Sequence, residues 1–248
     1  PFRLHPKGSA PKKGTTERRP TTNLSAPHKE LRDTEGACVT PYNVLADTKN
    51  RRCPGPARFP REVKPRVSTC AGNTAVLRAL ARELGQPVFS FVDDLRWMFQ
   101  QFQLAPAERW KVQLVWRDWD SQGPCFLAEN VMGYGGSPFS NVAQRFSHAL
   151  MYLLRQRFDA EDVAYDTPQV AALRQRRLGI RGSRDDCRLY AADAYTDDFK
   201  FDVIGAERAA RLLQLWGTLC EDIGVVRAEA RKRLAGASVT WLGILHYP

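Results

Sequence analysis

Three pairs of adjacent aspartates stand in this chain, at 93–94, 185–186 and 197–198. Holding two carboxylates side by side is costly, because unit charges about 4 Å apart repel by roughly 4 kcal/mol at an effective dielectric near 20. A divalent cation between them relieves the repulsion, and oxygen donors with no Cys or His close by favour Mg²⁺ or Mn²⁺. Asp185 and Asp186 lie in an arginine-rich stretch and read as local charge balance. The other two pairs each abut an apolar run. "VFSFV" (88–92) has the pattern of a buried strand and leads into Asp93 and Asp94. Leu189 to Thr196 reads as a mostly apolar strand, and beyond the third pair Phe199, Phe201 and Val203 alternate with Lys200 and Asp202, as in a half-buried strand. Asp197 and Asp198 therefore fall at the tip of a hairpin, where Asn-Gly, Asp-Gly or Gly-Xaa is the ordinary choice. Two strand ends supplying three carboxylates form the arrangement that a two-metal phosphoryl-transfer site needs.

The elements that must hold these strand ends follow from periodicity. Residues 73–84 predict a helix, with Ala75, Leu77, Leu80 and Leu84 on overlapping faces and Gly85-Gln86-Pro87 ending it. "RWKVQLVWRDWDSQGPCFLAEN" (109–130) predicts strand, turn and strand, with the loop at 118–123. "GGSPFSNVAQRFSHALMYLLRQRF" (135–158) predicts a helix with Ser137 as N-cap and Pro138 at its first position. Its apolar stripe is Phe139, Val142, Phe146, Ala149 and Leu153. Residues 159–188 read as a polar surface connection. Glu207 to Ile223 predicts a second amphipathic helix, with Leu212, Trp216, Leu219 and Ile223 inward and Gly224 as its terminator. "SVTWLGILHYP" closes the chain as a strand, and Trp97, Trp110, Trp116 and Trp241 read as packing residues. Strands and helices alternating around a sheet that contains hairpins define the α+β class.

Composition narrows the partners. The 248 residues carry a formal charge of +10 and are 43% hydrophobic, which allows a sizeable core and suits a polyanion, either nucleic acid or an acidic membrane surface. Residues 1–36, rich in Pro, Lys, Arg, Ser and Thr, predict a disordered basic tail. Between 49 and 66, Lys49, Arg51, Arg52, Arg58, Arg61, Lys64 and Arg66 face the single acid Glu62, forming either a solvated loop or a phosphate-binding edge. No apolar run approaches the ~20 residues of a membrane span, and no signal-peptide core opens the chain. The six cysteines are scattered without a CxxC, so neither zinc nor a disulfide framework is expected, and an intracellular setting, cytoplasm or nucleus, fits. A chain that opens on Pro is expected to be a fragment or a processed product.

Several of these stretches resemble the motifs of reverse transcriptases. "DLRWMFQQFQL" (94–104) is similar to their motif A, "VMGYGGSPFSNVAQRF" (131–146) to motif B and "YTDD" (195–198) to the Tyr-x-Asp-Asp of motif C. "KPRVS" (64–68) resembles the Lys-x-Arg strand of the fingers, and "TWLGI" (240–244) the Leu-Gly of the primer grip. Lys232 stands in the place of a motif D lysine. The matches run in order along residues 64–244, roughly three quarters of the chain. The spacing within motif B and the long stretch between motifs B and C depart from retroviral enzymes and look more like tyrosine-recombinase-type or other divergent retroelements. The resemblance implies a right-hand polymerase palm, a ferredoxin-like sheet with helices on one face, plus partial fingers and with the thumb missing. Its bounds would be a disordered basic tail at 1–36, partial fingers at 37–87, and a palm at 88–248 with a finger hairpin inserted at about 108–131.

It also implies roles. Asp94, Asp197 and Asp198 would be catalytic and would hold two Mg²⁺ or Mn²⁺ ions. Asp94 is the motif A match because Phe99 and Gln101 stand five and seven residues beyond it, with Asp93 as the alternative ligand. Lys64 and Arg66 would hold a triphosphate, unless they are a solvated strand edge. Phe99 would lie under the incoming sugar, unless it is core. Gln144 and Arg145 would contact template or nucleotide, unless they form a polar surface face. Lys232 would join the nucleotide site, and Trp241, Leu242 and Gly243 would form the primer grip. The implied partners are an RNA or DNA template with its primer, deoxynucleoside triphosphates and other domains of a parent polyprotein, with no membrane. An RNA-directed RNA polymerase shares the palm. It usually carries a second Asp where Phe99 stands, although Ser137 and Asn141 echo its motif B. A non-catalytic nucleic-acid-binding relic of a mobile element is the reading from another class.

Overall fold

The computed structural model describes residues 7–11, 18–22, 63–111, 113–117, 120, 124–133, 137–181 and 187–247. Its strands are β1 (Lys7–Pro11), β2 (Arg18–Thr22), β3 (Val88–Asp94), β4 (Gln113–Arg117), β5 (Pro124–Ala128), β6 (Tyr190–Tyr195), β7 (Asp198–Ile204), β8 (Leu234–Gly236), β9 (Val239–Trp241) and β10 (Ile244–His246). Its α-helices are α1 (Val67–Leu84), α2 (Ser137–Ala164), α3 (Pro168–Arg181) and α4 (Ala206–Ile223). The chain forms two compact units, one of Pro1–Glu62 with Trp97–Ala143 and one of Val63–Arg96 with Gln144–Pro248. Among the described residues no helix is long and apolar enough to cross a membrane.

In the first unit, β4 and β5 pair antiparallel from Gln113↔Ala128 to Arg117↔Pro124, the hairpin that the alternation at 109–130 predicts. Met132 and Phe139 form a small core with Phe99, Phe102 and Leu104 against it. Within the expected disordered tail, β1 and β2 instead pair from Lys7↔Thr22 to Pro11↔Arg18. Closing so short a loop costs little entropy, so a local ladder forms where composition predicts none. The rest of the tail and the basic run 49–62 lie outside the described residues. Trp97 does not pack as expected. Left-handed backbone at φ 50° opens the Met98–Gln101 turn there, leaving the indole 63% exposed while Met98 is buried. The side chains of Trp110 and Trp116 lie outside what is described.

The second unit is built on an antiparallel sheet ordered β6-β7-β3-β8. Helices cover both of its faces, not one. Phe199 and Phe201 tilt against Trp216 of α4, and Phe91 stacks on Phe201. On the opposite face Val88, Ala191 and Ile204 meet Leu77, Leu80 and Leu84 of α1. That face also hides the residues read as the wet side of β7. Lys200 and Asp202 are buried and paired, and Asp202 accepts from Ser90 and from Thr74 Oγ1 (2.5 Å). Polar side chains tolerate such burial only when partnered. The partner helix is distant in sequence, so alternation alone reports water.

Helix α1 begins at Val67, earlier than predicted, and ends at Gly85, whose φ of 63° suits a glycine. The stretch 159–188, read as surface connection, instead extends α2 to Ala164 and forms α3. Val170 and Leu173 bury one face of α3 against α1, a stripe of two residues that the surrounding arginines mask in the sequence. One of them, Arg174, is structural and shares its acceptor with two arginines of α4: Asp162 of α2 accepts from Arg174 Nη2 (2.5 Å), Arg208 Nε (2.7 Å) and Arg211 Nη2 (3.1 Å). In α4, Leu212, Trp216 and Leu219 point inward as predicted and Gly224 caps the end, but Ile223 is exposed. The closing segment is a hairpin, not one strand. Trp241 pairs with Ile244 across a two-residue turn in which Leu242 and Gly243 both have positive φ (50° and 77°).

Candidate active site

Register brings the carboxylates together. Asp94 ends β3 directly opposite Asp198, the first residue of β7. Tyr195 pairs with Asp198, so Thr196 and Asp197 form the two-residue turn between β6 and β7. The Leu95 N–H donates to the Asp197 carbonyl (3.0 Å), tying that turn to the segment leaving β3. Like charges directly opposite in a sheet destabilise it. Burial, then Asp197 and Asp198, push the Asp94 carboxyl up to about 7, against the pull of Lys232. The Lys232 ammonium stands 4.0 Å from Asp94 Oδ2.

Asp93 points the other way, as neighbours on a strand must. Its Oδ2 accepts from Trp216 Nε1 (2.8 Å) and Arg227 Nε (2.7 Å), and the Asp94 N–H donates to its Oδ1 (2.9 Å). At 3% exposure Asp93 is a fully engaged structural carboxylate, which removes it as the alternative ligand. Neither Arg227 nor Trp216 is signalled as its partner by any spacing in the sequence.

The other expected residues divide. Lys64 and Arg66 lie on an extended lead-in to α1, with Arg66 as its N-cap, not on a strand. Lys64 Nζ donates to Thr196 Oγ1 (2.9 Å) and sits 4.5 Å from the Tyr195 ring centroid. Burial lowers its pKa, and Asp197 opposes that shift. Lys64, Arg66, His148, Arg155 and Asp193 line an open cleft of about 460 Å³. Gln144, expected to contact template or nucleotide from a surface turn, is wholly buried. Its amide accepts from the Thr196 N–H (2.8 Å) and donates to the Ala194 carbonyl (2.9 Å), so it serves the hairpin. Arg145 remains exposed. Trp241 is buried with Cys70, Val92 and Val239, Leu242 packs against them, and Gly243 completes the turn. Phe99 belongs to the Met132–Phe139 cluster of the first unit. Thr196 and Ser147 are the residues that motif reading missed; a β-branched residue at a hairpin tip was the available cue.

The donor set fits a hard divalent cation in kind, because Asp94, Asp197 and Asp198 offer only carboxylate oxygens and stand close enough that, after burial, the other two help push the Asp94 carboxyl up to about 7. Among the described residues no group of three or more His, Cys, Asp or Glu forms a ready-made metal cage. Mg²⁺ does not require one, since it binds through one or two carboxylates together with waters and substrate phosphates.

The raised carboxyl has a consequence for stability. A folded pKa above the unfolded one means that Asp94 contributes stability below about pH 4, which is lost as pH rises through about 7. Asp94→Asn should therefore be more stable than wild type at pH 8 in metal-free buffer, by on the order of 1 kcal/mol after allowing for the water that reaches the carboxylate. The gap should close toward pH 4. Urea unfolding of both proteins across this range measures it, and equal stability at pH 8 would refute the crowding of charge.

Together these features define a mixed α+β chain whose antiparallel sheet presents carboxylates at a hairpin tip. No family model matches the chain, and no curated protein matches it in sequence. Among solved structures it is similar to the native prototype foamy virus protease-reverse transcriptase, with a TM-score of 0.53 at 14% identity. The likeness covers 99% of this chain and 23% of that one, and it is a likeness of fold.

Proposed function

We propose that this chain is the polymerase part of an RNA-directed DNA polymerase from a retrotransposon-like element, acting inside the cell within a longer parent polyprotein. The observation that carries the reading is the register Asp94↔Asp198 with Asp197 in the adjoining turn, in a chain whose fold is like a reverse transcriptase. Asp94, Asp197 and Asp198 would hold two Mg²⁺ or Mn²⁺ ions, which when bound would activate the primer 3′-hydroxyl and neutralise charge on the triphosphate. Lys64, which donates to Thr196 Oγ1 and lines the open cleft with Arg66, would meet a triphosphate with its ammonium charge. Arg66 would add a bidentate fork. Lys232 would offset the excess negative charge beside Asp94 and, as in motif D, join the nucleotide site. Trp241, Leu242 and Gly243 would steady the primer end as a rigid hairpin, and the net charge of +10 supplies attraction for primer-template phosphates.

Primer extension on poly(rA)/oligo(dT) with Mg²⁺ or Mn²⁺ tests the reading, with dTTP and UTP compared one at a time. Wild type should prefer dTTP. Phe99→Val should admit UTP while keeping some dTTP addition, because an aromatic ring under the sugar offers a ribose hydroxyl no hydrogen bond, a loss of roughly 1–3 kcal/mol. An unchanged ratio in a folded, active variant removes Phe99 from sugar choice. A wild type that prefers UTP favours an RNA-directed RNA polymerase, and salt-sensitive binding without extension favours a non-catalytic relic.

A further inference from the structure

The turn between β6 and β7 is held in a conformation its own residue disfavours. Thr196 is β-branched yet sits at φ 59°, a region such residues rarely adopt. All three of its polar groups are engaged. Its N–H donates to Gln144 Oε1, its carbonyl accepts from Ser147 Oγ, and its hydroxyl accepts from Lys64 Nζ. Gln144 adds a bond from Nε2 to the Ala194 carbonyl. The pair of Gln144 bonds reproduces one rung of a parallel ladder centred on Tyr195: a donor to the carbonyl before it and an acceptor for the N–H after it. Among the described strands β6 is one of the two outer strands of its sheet, so a side chain from α2 stands in for a missing neighbour. His148 Nε2, 2.9 Å from Gln144 Nε2, accepts its second N–H and keeps the amide oxygen aimed at Thr196. Gln144 and Ser147 are both fully buried, where water does not compete for these bonds.

Asp197 follows Thr196 in this two-residue turn, so the direction of its carboxylate is set by the backbone that the clasp fixes. We infer that Gln144, assisted by Ser147, is a positioning residue that holds Asp197 in its productive orientation and does not touch nucleotide; the role rests on the polymerase reading of the carboxylates. Strain at Thr196 is kept because α2 over-determines it, as at other functional turns.

The test uses Gln144→Met, close to isosteric, and the milder Ser147→Ala, in the 248-residue chain. Hydrogen exchange followed by mass spectrometry on a peptide spanning 194–198 should accelerate about tenfold in either variant, with the rest of the sheet unchanged, since one or two hydrogen bonds are lost. Nucleotide addition by Gln144→Met should lose about 10–100-fold in kcat, with KM for dTTP within about threefold, because a misdirected ligand costs turnover and not substrate binding. Unchanged exchange at the turn in both variants overturns the clasp. A large rise in KM with kcat retained makes Gln144 a nucleotide contact instead. If wild type adds no nucleotide, the polymerase reading fails, while the exchange measurement still decides whether α2 holds the turn.

Discussion

Asp197→Ala and Asp94→Ala should each cut nucleotide addition by on the order of a thousandfold or more while leaving primer-template affinity nearly unchanged. Asp94 ends β3 and Asp197 lies in the turn between β6 and β7, and the strand register brings them to one end of the sheet. Removing either takes away a donor that Asp93 cannot replace, because Trp216 and Arg227 hold it on the far face. The fold should survive. Asp94 carries a carboxyl that burial and its neighbours already disfavour as an anion, so its loss relieves repulsion. Binding should survive too, because on the proposed reading it would rest on lysine and arginine contacts to phosphates and would fall with salt as counterions are released. Filter binding at two salt concentrations and single-nucleotide addition measure both halves. Most of the wild-type rate in either variant would sink the catalytic assignment.

Asp162→Ala should destabilise the second unit by about 3–5 kcal/mol, the cost of breaking a buried ion pair from one side. Asp162 is 1% exposed and gathers Arg174, Arg208 and Arg211, so one carboxylate joins α2, α3 and α4. Asp166 holds Arg174 Nε at 2.8 Å, and Arg208 also donates to the Ile204 carbonyl (2.6 Å), so neither guanidinium swings freely to water. Against a total stability of about 5–15 kcal/mol, such a loss is a large fraction. Urea unfolding should show a markedly lower midpoint, with Asp162→Asn between the variant and wild type. A loss below about 1 kcal/mol, typical of an exposed pair, would mean that water reaches the cluster.

Much of the site's local architecture was legible because it depends on short-range rules. The hairpin tip at Asp197, the strand ending on Asp94, the inward face of α4 through Trp216 and the stop at Gly224 all follow from periodicity and turn chemistry within a dozen residues. Where the reading went wrong, the deciding partner lay far along the chain. Gln144 looked like a surface residue because its helix position is polar, yet it lies against Ala194 and Thr196, 50 and 52 residues away. The same holds for Val170 and Leu173, whose burial depends on α1.

The sequence by itself determined which residues alternate and where the chain must turn, because these are properties of neighbours. Only the tertiary structure decided that Asp93 is structural, that Lys200 and Asp202 lie beneath a helix and that α2 clasps the turn bearing Asp197. A pattern of polar and apolar residues records how much water each position tolerates when nothing else is near. Which distant group replaces that water is set by packing, and for a charged or amide side chain the identity of that group is what separates a ligand from a brace.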